Sequence, residues 1–239
     1  PEDRKRLEDE RRRSFLRLAS HELRTPLNAI IGFSEILTHE LYGPMGAPQY
    51  REYAGIIHQS GHRLLRLVNQ VLEIARLEGG GAELVVRPEP LEPVVDEAIR
   101  LIEPDAEAKS LTLAVAPMDG LIAQQDPRAL RNALSHLLQN AVAFATEGST
   151  ISVRAVPDGE EIRLEVENAG DGVEPRDVPR LMRPFEQGEN ALTRANEGAG
   201  LGWPIVRLLC QGMGGAFRVR SRPGQGLTAV VVLKVGAAA

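Results

Sequence analysis

At 239 residues the chain can form one large domain or two small ones, and its net charge of −5 lacks the basic excess of a general nucleic-acid binder. Apolar residues make up 43% and charged residues 26%, ordinary for a soluble globular protein, and no stretch approaches the roughly 18 apolar residues of a membrane span. The single cysteine, Cys210, excludes an intrachain disulfide and fits a reducing compartment; its apolar setting, VRLLCQGM, reads as core.

The chain opens inside a charged helical pattern, PEDRKRLEDERRR, which reads as the continuation of a preceding signalling helix. Residues 4 to 78 then give two long helices. In the first, Leu16, Ala19, Leu23, Leu27, Ile30, Phe33 and Leu37 recur at the spacing of one buried stripe. In the second, Tyr53, Ile57, Leu64, Leu67, Val71, Leu72 and Ala75 continue it. The connection HELYGPMGAPQ carries two glycines and two prolines, which break helices. A hairpin of two such helices cannot bury so wide a stripe alone, so pairing with a second copy into a four-helix bundle is expected. His58 and His62 lie one turn apart; without a cysteine or third ligand nearby, the pair reads as a solvated face more readily than as a metal site.

The first helix also carries SHELRTPLN. Arg17, His21, Arg24, Thr25 and Asn28 share a polar face opposite the stripe, which places His21 toward solvent. Glu22 is placed to accept the Nδ1 proton and leave Nε2 as a nucleophile. Thr25 follows one turn on, and Pro26 removes a helical hydrogen bond at the site, at a cost of about 3 kcal/mol in a helix interior. After LEGGGAEL, whose three glycines at 79 to 81 read as a hinge, the pattern becomes α/β. Strands are expected at Glu83–Val86, Leu111–Val115, Thr150–Ala155, Ile162–Glu167, Ala216–Ser221 and Thr228–Val235. Helices are expected at Leu91–Lys109, Pro127–Ala145 and Leu201–Met213. VPDGEE joins two strands with Asp-Gly hairpin chemistry. The pattern implies a mixed sheet covered by helices on one face, an α/β sandwich.

FLRLASHELRTPLNAIIGFSEIL closely resembles the phosphoacceptor box of bacterial sensor histidine kinases, and the second half resembles that family's ATP-binding domain, box by box. The boxes are DPRALRNALSHLLQNAVAFATEG, VENAGDGVEP, RLMRPFEQ and GAGLGWPIVR. The resemblance implies a dimerisation and phosphotransfer hairpin over residues 1–80 and a Bergerat-type ATP-binding domain over 84–239. It makes His21 the phosphorylated residue and Glu22 its base, with Glu22 and Thr25 positioning water for dephosphorylation of a partner. It puts Mg²⁺ on Asn140 and adenine at Asn168, Gly170 and Gly172. Phe185, Arg194, Gly198, Gly200, Leu201 and Gly202 would border the phosphates, with His136 beside them. The implied activity is autophosphorylation of His21 from ATP and transfer to an aspartate of a response regulator, by a homodimer in the cytoplasm. Any membrane attachment would lie in a region outside this sequence.

Five positions depart from the family pattern. Asn168 replaces the usual aspartate, His136 a common asparagine, Ala143 a basic residue and Ala199 a threonine; Trp203 stands where leucine is usual. The charge lost at residue 168 implies adenine affinity lower by roughly 1–2 kcal/mol, about ten-fold, and poorer rejection of guanine. Arg180, Arg183 or Arg194 would offset the cation missing at Ala143. His136, Ala143 and Asn168 also suit an alternative reading, a weakly ATP-binding or phosphatase-biased regulator that still binds a response regulator. A purely structural dimerisation module conflicts with the intact SHELRTPLN box.

Overall fold

A computed structural model describes residues 23–79, 83–186 and 200–236, and the chain divides into two compact units between Ala82 and Glu83. In the first unit, helix α1 occupies residues 23–38 of the described chain and helix α2 runs from Pro48 to Glu78. Pro48 starts α2 at the position where a missing N–H costs nothing. In the connection, Glu40 takes a left-handed backbone (φ 51°), accepts the Met45 N–H at 3.0 Å and pairs with Arg51 at 2.6 Å.

The seam of this hairpin differs from the expected stripe. Leu27 and Ile31 of α1 are buried, facing the small residues Ala54 and Gly61 of α2, with Ile74 buried further along. A Cβ on Gly61 would come within 2.8 Å of Ile31 Cγ1, so the absent side chain is what lets the helices approach. Arg24 Nε adds a cross-hairpin hydrogen bond to Asn69 Oδ1 at 2.7 Å. Most of the residues that define the periodicity point outward instead: Leu23, Ile30, Phe33 and Leu37 on α1, and Tyr53, Ile57, Leu64 and Val71 on α2. Each helix therefore has two apolar faces, and the sequence pattern marks the wider, outer one. Among the described residues, no helix is long and apolar enough to cross a membrane.

The second unit places strands β2 (Thr112–Val115), β4 (Thr150–Asp158), β5 (Glu161–Asn168), β6 (Ala216–Ser221) and β7 (Leu227–Lys234) in one sheet. Their order is β2-β4-β5-β7-β6, with β2 parallel to β4 and every other pair antiparallel. Helices α3 (Glu92–Ala108), α4 (Pro127–Phe144) and α6 (Gly202–Gly212) pack on one another and on the sheet, and one turn, α5, covers Val178–Leu181. The helix-over-sheet architecture is the expected one. β4 and β5 close through Gly159, whose φ of 63° is the left-handed value that Asp-Gly turns use. Across the sheet, buried Glu165 on β5 accepts from Arg154 on β4 at 2.8 Å and from Arg220 on β6 at 2.7 Å, charge-assisted bonds that span four strands.

Two local expectations need correction. Residues 83–86 are not a strand; β1 is Arg87–Pro90, and it pairs antiparallel with β3, Ile122–Gln125, which the sequence pattern did not separate from its loop. The reason is Asp126. Its side chain caps α4 by accepting the Arg128 and Ala129 N–H groups at 2.9 and 3.1 Å, and it also accepts the Val85 N–H at 2.8 Å. That bond takes the Val85 backbone away from any strand partner. Leu84 packs beside it against Gly212 at the end of α6.

Burial opposes ionisation of Asp126, but the Val85, Ala129 and Arg128 amides outweigh it and hold the carboxyl below its ordinary 3.8. The stabilisation it contributes is therefore present above that pH and is lost as pH falls through the lower folded value. Asp126→Ala is expected to cost about 1–2 kcal/mol at neutral pH. Asp126→Asn should cost less, because its remaining oxygen still caps the helix. Urea unfolding at pH 7 and pH 3 measures both effects, and the gap between wild type and Asp126→Ala should shrink at pH 3.

Candidate active site

Helix α4 is the spine of the site. Its buried face carries Leu130, Leu134, Leu137, Leu138 and Ala141, while His136 and Asn140, four residues apart, share a polar edge. That edge meets the start of α6. The position a Cβ would take on Gly202 lies 3.5 Å from Asn140 Nδ2 and 3.8 Å from His136 Nδ1. Leu201, fully buried, caps α6, and its carbonyl accepts the Ile205 N–H at 3.1 Å. So the first N–H groups of α6 open beside two neutral polar side chains, a setting suited to phosphate.

The turn after β5 docks on the other end of α4. Asn168 ends β5, paired with Ile151 and Leu227, and is 5% exposed. A Cβ on Gly170 would collide with the Phe144 carbonyl oxygen, one on Gly172 with the Arg222 carbonyl, and one on Gly226 with the Asn168 carbonyl. Gly172 also has a left-handed φ of 66°. These glycines thus serve close backbone packing in the turn itself. Asn168 Nδ2 donates to the Ala169 carbonyl at 3.1 Å, and the same carbonyl accepts the Thr146 N–H at 3.0 Å. One amide hydrogen of Asn168 is thereby committed to the backbone, while Oδ1 keeps its accepting capacity.

Phe185, 63% exposed at a left-handed φ of 66°, donates its N–H to the Gly200 carbonyl at 3.2 Å. Gly200 also has a left-handed φ, 70°. Residues 185 and 200 therefore meet, while Arg194 and Gly198 lie outside the described residues, as do His21 and Glu22. Arg24, Thr25 and Asn28 are exposed on α1, on the polar face the sequence assigned them. The site thus unites His136, Asn140, Leu201 and Gly202, with Asn168, Gly170 and Gly172 at the far end of α4.

Two cations of this unit are engaged by other groups. Arg180 pairs with Glu186 at 3.3 Å and with Asp177 at 3.9 Å, so its charge is already met. Lys109, which no local pattern singles out, donates to the Val142 and Ala143 carbonyls at 2.7 and 2.9 Å. It places a positive charge at the α4 C-terminus, where the helix dipole favours one. Trp203 packs edge-on against Phe217 at 6.2 Å, anchoring the start of α6 to β6. Cys210 is buried and its thiol is pushed up to about 12 by burial, as inert core.

The donor set fits a magnesium nucleotide. An amide oxygen at Asn140 is a hard ligand of the kind Mg²⁺ takes alongside substrate phosphates, and the glycine at residue 202 leaves the helix start open beside it.

The family comparisons agree with this geometry. A family described as "His Kinase A (phospho-acceptor) domain" matches residues 11–80, and "Histidine kinase-, DNA gyrase B-, and HSP90-like ATPase" matches residues 125–237. The chain belongs to the sensor histidine kinases. Among similar proteins, the histidine protein kinase DivJ of Caulobacter vibrioides is 39% identical over 225 residues, covering 94% of this chain and 37% of DivJ. The cell-division control histidine kinase PdhS of Brucella abortus is 33% identical over 228 residues, covering 91% of this chain and 22% of PdhS. Full-length ShkA, in a crystal structure with AMPPNP, shares 32% identity and a TM-score of 0.76, covering 94% of this chain and 47% of ShkA. The chain spans less than half the length of these curated relatives.

Burial pushes His136 down to about 4 from 6.5, so the imidazole is neutral at physiological pH. Because the folded value is depressed, the unfolded chain takes up the proton first, and stability falls as pH drops from 6.5 toward 4. His136→Asn should remove this slope, at most about 1.4 kcal/mol per pH unit. Denaturant midpoints at pH 7.0, 6.0 and 5.0 will show wild type losing stability relative to the variant as pH falls.

Proposed function

We propose that the chain is the catalytic core of a sensor histidine kinase that phosphorylates His21 from ATP and passes the phosphoryl group to an aspartate of a response regulator. The observation that carries the reading is the meeting of Asn140 and His136 with Gly202 at the open start of α6, in a chain that also holds SHELRTPLN. Nucleotide phosphates face the first N–H groups of α6, with Gly198 and Gly200 leading into it. The Asn140 amide oxygen would hold Mg²⁺, which would supply charge neutralisation to those phosphates. Glu22 holds the Nδ1 proton of His21 and so directs the Nε2 lone pair at the γ-phosphorus. The new N–P bond forms as the bond to the ADP oxygen breaks. Glu22 and Thr25 orient water when the same surface dephosphorylates the partner.

The exposed outer faces, with Leu23, Ile30, Phe33 and Leu37 on α1 and Tyr53, Ile57 and Leu64 on α2, support a homodimer whose bundle also docks the response regulator. No observation favours the phosphatase-biased alternative. Incubation with γ-labelled ATP and Mg²⁺ tests the kinase: acid-labile label should appear on wild type and be absent from His21→Ala. Label that survives this substitution, or no label on a dimer that binds ATP, overturns the reading.

Asn168 bears on the nucleotide. With one amide hydrogen engaged by Ala169, Oδ1 is the group left to accept, and an acceptor suits the adenine amino group and repels guanine O6. Adenine selectivity is therefore retained by a neutral residue, at the reduced affinity the sequence suggests. Quenching of the single tryptophan, Trp203, beside Gly202, gives affinities without turnover. Asn168→Asp should tighten ATP about ten-fold and leave GTP weak. GTP binding as tight as ATP in wild type would refute the assigned orientation.

A further inference from the structure

We infer that His58 and His62 form a binding site for a divalent transition-metal ion on helix α2, separate from the nucleotide site and independent of the kinase reading. The two residues are four apart on one helix and leave it on the same face. Their rings are in contact, with centroids 4.6 Å apart and planes at 78°. His62 is exposed and His58 half-buried, so the pair is not simply a solvated face: His58 is turned toward α1.

The hydrogen bonds of His58 determine its tautomer. Nδ1 lies 3.3 Å from the Ile31 carbonyl oxygen and 3.3 Å from Ser34 Oγ. Ser34, itself buried, donates its only hydroxyl proton to the Ile31 carbonyl at 2.7 Å. Neither neighbour has a proton to give the ring, so Nδ1 carries the hydrogen and donates. Nε2, on the far side of the ring from α1, then keeps its lone pair. A metal-ligating histidine is built this way: one nitrogen donates to a backbone carbonyl, which fixes the ring, and the other binds the metal.

His62 supplies the second imidazole at the i, i+4 spacing by which a helix directs two histidines to one ion. Two ring nitrogens at about 2 Å from a shared ion require only that exposed His62 rotate toward His58. Imidazole pairs favour zinc, copper and nickel over magnesium, which prefers oxygen ligands, so the kinase cofactor does not compete here. Among the described residues no group of three histidine, cysteine, aspartate or glutamate side chains is placed around an ion. Water fills the remaining positions, and the site is open and exchangeable. Its link to Ile31 gives it a mechanical consequence. A metal on Nε2 makes Nδ1–H a better donor to the α1 carbonyl, so binding tightens the contact between α1 and α2.

Zn²⁺ titrated into the full chain against a chromophoric chelator, with excess Mg²⁺ present, tests the site. One Zn²⁺ per chain is expected. His62→Ala, at an exposed position that leaves the fold intact, and His58→Gln should each weaken binding about ten-fold or more, at least the loss seen when outer partners of a metal ligand are removed. His62→Cys, which keeps a zinc ligand, should retain binding. Zn²⁺ should also raise the thermal midpoint of wild type and not of His62→Ala. The inference fails if wild type binds no Zn²⁺, if His62→Ala binds like wild type, or if His39→Ala or His21→Ala lowers the affinity as much.

Discussion

Helix α4 must bury one face in the core while keeping a polar edge open, and the second unit is arranged around that requirement. Eight apolar residues, from Ala129 to Val142, close against α3, α6 and the sheet, which fixes its rotation. With the rotation fixed, His136 and Asn140 have one direction left, toward Gly202. Each end of the helix is then tied separately. Asp126 caps the N-terminus and binds Val85, while Lys109 caps the last carbonyls and the glycine turn of residues 170–172 presses on Phe144. A helix held at both ends and along one face cannot slide, so the spacing between the Asn168 turn and the α6 start is set by the stretch of α4 from His136 to Phe144.

The charge distribution follows from the same constraint. Two residues along the site, Asn168 and Ala143, are neutral where the resembled pattern has an acid and a base, and neutral His136 stands where it has an amide. Lys109 does not replace the missing base at the phosphates, because its ammonium is held by two backbone carbonyls. Arg180 is likewise engaged by Glu186 and Asp177. At the α6 start the first backbone N–H groups of the helix contribute positive potential, which acts over a short range and is positioned by packing. Trp203 against Phe217 and buried Leu201 matter here because they hold those N–H groups in place.

Much of this was legible in the sequence where local chemistry and long-range packing agree. Asp126-Pro127 announces the start of α4 by the pairing of an N-cap acid with a proline in the first turn. Asp158-Gly159 announces the β4–β5 turn in the same way. The sequence was less informative where a distant partner decides the outcome. Residues 83–86 have strand-forming composition, yet the Val85 N–H goes to a carboxylate 41 positions away. Strand β3, only four residues long, exists because β1 pairs with it, and IAQQ has no alternation of its own to reveal that. Lys109 was invisible as a cap because its carbonyl partners lie 33 and 34 residues ahead.

The hairpin shows the same limit in another form. Periodicity finds apolar residues, and the outer faces of α1 and α2 are richer in large ones than the seam between them. The seam is made instead by what is small or polar: Ala54 and Gly61 allow the approach, and Ser34 and His58 satisfy the Ile31 carbonyl inside it. A carbonyl in the middle of α1 that accepts a hydrogen bond from a side chain on α2 locks the rotation of one helix against the other, which apolar contacts alone do weakly. That lock leaves the outer residues Ile30, Phe33, Ile57 and Leu64 in fixed positions on the surface. The polar pair inside the hairpin therefore helps to determine which apolar surface the hairpin offers to a second copy.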